Sequence, residues 1–506
     1  MKKFLTVALT IVLIVSVMPT GLFTTTANAA TSGMTGVCTW SLEGTVLTIS
    51  GNGDTGNYSS SSTLHWKEVV TNVIIEKGVT CIGEELFYGC TNLKRITIPD
   101  SVTSIGKLAF FSCENLTSIT IPDSVTSIGK YAFAGCERLI DVYIANIASW
   151  CNIDFEEYSN LLSYADNIYL NGERVTELTI PNGVTRIGDH AFEDCASLIS
   201  VTIPNTVISI GANAFGDCVN LTSITIPNSV TRIGEYAFCR CTNLTSVAIP
   251  DSVTSIGEYA FMGCTSLTNT TIPNSVTSIN TSTFEYCIGF TSVTIPDSVT
   301  SIGVAAFDDC YGLINVTIPD SVTSIGADAF GDCTSLTSIT IPDSVANMGE
   351  YAFSNCTSLK DVSLSMETVP EWLFEGCSQI KRVYFSKDMT IVYKNAFVNS
   401  NSITDVYYEG TEEEWGNVVV QHSNGSLDSA TIHFNCSSLP THSPGDLTGD
   451  DKINSLDGLM LLRHLNGWTL NIASPEAMDV NADGKVNSLD GLMLMRYLNG
   501  WNITLG

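Results

Sequence analysis

Positive charge is scarce in this sequence. Only 22 Lys and Arg stand against 52 Asp and Glu, for a formal net charge of −30. Such a surface repels phosphate backbones and anionic bilayers, which excludes nucleic acid as a partner. Histidine is rare too, with six in 506 residues. No Ser/His/Asp, Cys/His or paired-carboxylate set stands outside repeated positions, so the unlike groups that catalysis gathers in one pocket are missing. Long apolar runs are absent but for one, Phe4 to Val17. It follows Lys2 and Lys3 and precedes Ala27-Asn28-Ala29. That is the pattern of an export signal over residues 1–29, with a mature chain starting near Ala30 and a secreted, extracellular protein. Losing two lysines and no acids takes the net charge from −30 to −32. The run is too short and wrongly flanked for a membrane span, and no second one occurs.

What is abundant is repetition. Ten of the 15 prolines occupy one position of a repeated unit: Pro99, Pro122, Pro181, Pro204, Pro227, Pro250, Pro273, Pro296, Pro319 and Pro342. From Pro181 onward the spacing is 23 residues without slippage. Divergent copies extend outward, giving about 13 coils over residues 76–403, or roughly 60 Å at one strand spacing per coil. In the unit Leu221 to Phe238, Leu221, Ile224 and Ile226 with β-branched neighbours predict a short strand. Pro227-Asn228 ends it, with the asparagine expected to bond its own backbone. Val230 and Ile233 form a second extended stretch, Gly234 turns the chain, and Glu235 to Phe238 is expected to make one helical turn. One such unit cannot bury its apolar face, but stacked units can.

Twelve cysteines share one repeat position: Cys90, Cys113, Cys136, Cys195, Cys218, Cys241, Cys264, Cys287, Cys310, Cys333, Cys356 and Cys377. Neighbours lie within disulfide reach, yet each inner thiol faces two equivalent partners, so no pairing is specified. A ladder of small buried thiols is expected. Cys38, Cys81, Cys151, Cys239 and Cys436 lie off it, their state open, and no spacing resembles a closed zinc site. The unit Leu116 to Cys136, Leu-Thr-Ser-Ile-Thr-Ile-Pro-Asp-Ser-Val-Thr-Ser-Ile-Gly with Ala-Phe and Gly-Cys following, resembles the BspA-like leucine-rich repeats of bacterial surface proteins. The resemblance implies a mainly β fold, a leucine-rich-repeat-like parallel β-solenoid used for binding or adhesion, with a protein or glycan ligand it does not name.

Solenoid ends need covers. Residues 30–75, with the β-prone run Thr45 to Ile49 and Trp66, are read as an N-terminal cap. Residues 404–436 are read as a C-terminal cap, with a capping-box helix start at Thr411–Glu414 and a strand at Ala430–Phe434. An insertion at about 140–175 carries Tyr143, Trp150, Phe155, Tyr158, Tyr164 and Tyr169. These aromatics suit carbohydrate or peptide contact and suit a small packed flap equally well.

After a linker at 437–444, a second repeat occupies residues 445–506. Asp446, Thr448, Asp450, Lys452, Asn454 and Asp457 recur 33 residues on as Asp479, Asn481, Asp483, Lys485, Asn487 and Asp490. Oxygen donors at positions 1, 3, 5, 9 and 12, with the carbonyl at 7, suit two Ca²⁺ ions. Ile453 and Val486 at position 8 are expected to anchor the loops. Gly467 and Gly500, each before a tryptophan, stop the following helices. Aspartate at position 12 and a missing first helix make this module resemble a type I dockerin, a small all-α module with two EF-hand-like calcium loops that binds a cohesin domain of a cellulosomal scaffold. The resemblance carries the partner-reading role to Ser455, Leu456, Arg463, His464, Ser488, Leu489, Arg496 and Tyr497. Both serines also suit a helix N-cap. The function expected is a non-catalytic binding or adhesion subunit, cellulosome-associated or at the cell surface. Its competitors are a free-standing adhesin and a hydrolase hidden in the repeats.

Overall fold

The computed structural model describes residues 31–59, 64–439, 445–447, 453–467, 476–481, 485–500 and 505. The expected export signal at 1–29 lies outside them. Among the described residues no helix is long and apolar enough to cross a membrane.

Residues 72–408 wind into a parallel β-solenoid whose coils have three sides. On the first side, short strands pair in a 23-residue step, Ser200 with Ser223 and Ser223 with Ser246. On the second, Ser209 pairs with Arg232 and Arg232 with Ser255. Between them Val230 N–H closes a turn on the Pro227 carbonyl. The tie across coils is made by the serine rather than by Asn228: Ser229 Oγ donates to Val207 O at 2.6 Å, and Ser252 Oγ to Val230 O at 2.8 Å.

The third side corrects the expected helical turn. Tyr236 and Arg240 are both left-handed, each with φ 54°. Alternate N–H groups leave the coil: Tyr236 N donates to Glu258 O at 3.0 Å, Phe238 N to Ala260 O at 2.8 Å and Arg240 N to Met262 O at 2.6 Å. A helix would turn those donors inward. The left-handed residues instead aim them at the next coil, and that hydrogen bond offsets a conformation costing about 1–2 kcal/mol. Gly234 also differs from expectation. Its role is close approach, because a Cβ there would lie 2.5 Å from the Gly211 carbonyl carbon.

The interior follows from this winding. Leu221, Ile224, Ile226, Val230, Ile233, Ala237, Phe238 and Cys241 are all buried. The phenylalanines stack face to face, with centroids from 5.0 Å for Phe110–Phe133 to 5.7 Å for Phe353–Phe374. All twelve ladder cysteines are free and buried. Except in Cys90 and Cys195, which start the two runs, the thiols reach the Phe carbonyl of the preceding coil, as in Cys264 Sγ to Phe238 O at 3.2 Å. Where the ladder runs out, Ser400 makes the same bond to Phe374 O at 2.7 Å.

Within the stretch 140–175, residues 141–163 form a further coil, and Asn167–Leu170 folds back on Glu173–Arg174 as an antiparallel hairpin. The coil's strand Asp141–Ile144 pairs with Ser118–Thr120, and Asp154–Phe155 pairs with Ser127–Ile128. Between these strands runs a short helix, α1 (Ile147–Cys151). Trp150 and Phe155 are core, with Trp150 Nε1 donating to Ala191 O at 2.6 Å. Tyr143 stacks on Tyr169, and the exposed Tyr158 on Tyr131. Tyr164 is half-buried. At the N-terminal end Cys38–Glu43 and Val46–Ser50 form an antiparallel hairpin, and the latter strand continues in parallel with Asn72–Ile75. Towards the other end α2 (Glu412–Trp415) starts with the capping box of Thr411 and Glu414, and Thr431–His433 pairs with Asp405–Tyr407.

Candidate functional site

The C-terminal module contains two 11-residue helices, α3 (Ser455–Leu465) and α4 (Ser488–Leu498). Each starts on an asparagine. Asn454 Oδ1 accepts from Leu456 N at 2.9 Å, and Asn487 Oδ1 from Leu489 N at 2.8 Å. Asn is therefore the N-cap, and the serines, read as possible caps, are the first helical residues and are exposed. Each helix ends at an asparagine followed by Gly467 (φ 80°) or Gly500 (φ 77°), a backbone conformation glycine adopts without strain. The helices pack reciprocally. A Cβ on Gly458 would meet Leu498 Cδ1 at 2.8 Å, and one on Gly491 would meet Leu465 Cδ1 at 2.9 Å.

The loop carboxylates are organised by backbone donors. Asp457 accepts from Leu447 N (3.0 Å) and Asn454 N (2.8 Å). Asp490 accepts from Val480 N (2.9 Å), Asn481 N (3.3 Å) and Asn487 N (2.7 Å). These bonds pull position 2 of each loop inward, so Leu447 and Val480 anchor the core. Position 8 does so in one copy: Ile453 is half-buried and packs against that core, whereas Val486 is exposed. Asp446, Asp457 and Asp490 are fully buried. Burying a carboxylate demands a compensating charge or hydrogen bonds, and an all-oxygen donor set of this kind fits a hard divalent cation. Asp479, Asn481 and Lys485 lie among the described residues, whereas Thr448, Asp450, Lys452 and Asp483 lie outside them, as do Trp468 and Trp501.

Of the partner-reading candidates, Ser455, Leu456, Arg463, Ser488, Leu489, Arg496 and Tyr497 are exposed and His464 is half-buried. The sequence reading missed their neighbours. Leu459 and Leu462 on α3, with Leu492 and Met495 on α4, are also exposed and extend an apolar row from Leu456 and from Leu489. The signal was the three-residue step of these positions, out of phase with the buried Leu461 and Leu494.

Folding also gathers groups that lie far apart in the chain, on the outer face of the last coils. Arg382 makes a two-bond pair with Asp361 (2.6 and 2.8 Å), and His433 Nε2 lies 2.9 Å from Asp405 Oδ1. Burial raises the Asp405 pKa, but hydrogen bonds from His433 and Thr404 outweigh it and hold the carboxyl below its ordinary range. Tyr407 stacks on His433 at 4.6 Å. The Arg382–Asp361 and His433–Asp405 pairs satisfy one another, as structural pairs do.

The module described as the BspA-type leucine-rich repeat region matches in six copies, over residues 60–165, 162–290 and 277–404. The type I dockerin domain matches residues 444–499. Among solved structures, a leucine-rich repeat protein from Bacteroides ovatus is 25% identical, with 81% of this chain and 100% of that chain covered and a TM-score of 0.49. One from Eubacterium ventriosum is 24% identical, covering 64% and 95%, with a TM-score of 0.43. A leucine-rich cell surface protein from Faecalibacterium prausnitzii is 25% identical, covering 78% and 98%, with a TM-score of 0.39. No curated protein matches the chain.

Proposed function

Because the chain belongs to the BspA-type leucine-rich-repeat family and ends in a type I dockerin, we propose that it is a secreted, non-catalytic binding subunit fixed to a cohesin-bearing scaffold. Both kinds of module are typically non-catalytic, and a dockerin implies a cohesin partner, calcium and an extracellular setting. The observation that carries the reading is the matched pair α3 and α4, each displaying an exposed serine, an apolar row and an arginine at equivalent places. Two calcium ions would be held by Asp446, Thr448, Asp450, the Lys452 carbonyl, Asn454 and Asp457, and by Asp479, Asn481, Asp483, the Lys485 carbonyl, Asn487 and Asp490. The ions would neutralise carboxylates that otherwise repel one another in a small core. Ser455, Leu456, Arg463 and His464, or Ser488, Leu489, Arg496 and Tyr497, would then meet the cohesin. The solenoid, outside this contact, presents the ligand-binding surface. The test is retention of the full chain on a panel of immobilised cohesins, with release by chelator. A calcium-loaded, folded chain that no cohesin retains would leave the free-standing adhesin as the function.

A further inference from the structure

Residues 241–359 contain eleven Asp and Glu and no Lys, Arg or His. Five consecutive coils therefore carry acids that no side chain of their own stretch can neutralise. Within them two coils depart from the repeat together. The position after the ladder cysteine is threonine in Thr242, Thr265, Thr334 and Thr357, but becomes Ile288 and Tyr311. The next position carries Asn or Ser in neighbouring coils, as in Asn243, Ser266 and Ser335, but becomes Gly289 and Gly312. Elsewhere that asparagine covers a carbonyl of the preceding coil, as in Asn220 Nδ2 to Ala196 O at 2.9 Å. Here the side chain is gone, and a Cβ on Gly312 would lie 2.6 Å from the Ile288 carbonyl oxygen. Tyr286, in the left-handed position before Cys287, stands edge-on to Tyr311 with centroids 6.2 Å apart.

The result is an apolar patch where its neighbours show hydroxyls. Tyr286, Ile288 and Tyr311 are 45, 39 and 38% exposed. Glu285, Asp308 and Asp309 border it. Burial and the surrounding Asp309, Asp328, Glu285 and Asp332 push the Asp308 carboxyl up to about 7. An apolar centre inside a charged rim is the anatomy of a protein-binding hot spot. The sign of the rim selects the partner, since opposite charge steers encounter and like charge is rejected.

We propose that Tyr286, Ile288 and Tyr311, ringed by Glu285, Asp308 and Asp309, dock a protein segment that presents Lys or Arg around an apolar side chain. This rests on reading the solenoid as the binding part of the chain, and it names the surface and the partner's chemistry.

The test uses the full chain and a labelled peptide alternating lysine with leucine and tyrosine. Measured in chelator, binding does not depend on the dockerin, so a failure here is separate from a failure of cohesin docking. Ile288→Thr with Tyr311→Thr restores residues that neighbouring coils already carry, so the fold is retained, as an unchanged melting temperature checks. It should weaken the peptide at least tenfold. Glu285→Gln, Asp308→Asn and Asp309→Asn together should do the same and flatten the salt dependence. Equal binding by the threonine variant would overturn the proposal. So would equal affinity for a lysine–serine peptide, which would reduce the surface to diffuse acidity. Calcium titration finding an additional ion that the amide variant loses would overturn it in favour of a metal site.

Discussion

The solenoid and the C-terminal module hold themselves together by opposite means. Outside the coil at 141–163, the coils repeat the same contacts: a Phe on a Phe, a thiol on a carbonyl, an Ile in register with an Ile. Stability of that kind is spread over nearest-neighbour interfaces, and no single residue is essential to the whole. Among the described residues the module's core holds six buried side chains, Leu447, Leu461, Ala477, Met478, Val480 and Leu494. Three buried aspartates share that small volume. A small core of this kind needs a staple, and on the proposed function the staple is calcium, which type I dockerin domains bind. Redundancy protects the solenoid from point changes, while the module can be switched by one solute.

Two solvents should separate the regions completely. Chelator should erase the order of residues 445–506 and leave the solenoid's spectrum unchanged, seen by NMR of the full chain. A module that keeps its dispersed peaks without calcium would break the comparison. Alkali should do the reverse. Burial raises the thiol pKa in ten of the twelve ladder cysteines. Cys195 sits at about 11 and Cys90 at about 12, against an ordinary value of 9.0. A raised thiol pKa means that the folded state holds protons the unfolded chain releases. The stability is therefore complete below about 9 and falls as pH rises above it, by about 1.4 kcal/mol per pH unit for each thiol. Ten thiols acting together make the loss steep. Circular dichroism from pH 8 to 11 should show the solenoid unfolding in one sharp step, with release of roughly ten protons. The module contains no cysteine and should survive that step in calcium.

Much of this contrast was legible in the sequence, since 23-residue spacing and paired acidic loops are patterns of position. What was hidden depends on backbone conformation and on contacts between coils. The left-handed pair at Tyr236 and Arg240 was read as a helical turn, because its local composition allows one. The hint lay in the residue before the ladder cysteine: Gly89, Gly135 and Gly263, Asp217, Asp309 and Asp332, and Asn355 are types that tolerate positive φ. The coil at 141–163 was hidden because its second strand pairs 27 residues on, Ser127 with Asp154, and breaks the count. The row of Asp361, Arg382, Asp405 and His433 was invisible because its members are separated by whole coils. In the module, the position-2 anchors depend on a side-chain carboxylate reaching back ten residues, which no periodicity reports.

Glycine substitutions sharpen the comparison at single residues. Gly234→Ala places a methyl 2.5 Å from backbone that is itself fixed by the next coil. It should cost about 3 kcal/mol, at the upper end of overpacking effects, read from denaturant unfolding of the solenoid. Gly458→Ala on α3 meets only the ends of flexible side chains, Leu498 Cδ1 at 2.8 Å and Met495 Sδ at 3.4 Å. There the gain in helix propensity of about 1 kcal/mol offsets the strain, so the module's stability in calcium should move by less than about 1 kcal/mol. Equal losses at the two glycines would mean that coil contacts are no stiffer than helix contacts.

The smallest effect tests the one redundancy the module does possess. Residues 454–468 and 487–501 match at 13 of 15 positions, differing at Leu462 versus Met495 and His464 versus Tyr497. The reciprocal packing of Gly458 on Leu498 and Gly491 on Leu465 relates the helices by a half turn. A cohesin should therefore bind either face with nearly equal free energy, and both modes should be populated. Ser455→Asp with Leu456→Asp puts desolvated charge into one mode and leaves the other. Losing one of two equal modes costs RT ln 2, about 0.4 kcal/mol, so the dissociation constant should rise only about twofold by calorimetry. The same change at Ser488 and Leu489 should match it, and only the fourfold variant should lose binding severely. If one double variant alone abolishes binding while the module still folds in calcium, a single face carries recognition. Tyr497, more exposed than His464 and offering more ring to the partner, would then be the reason the two faces differ.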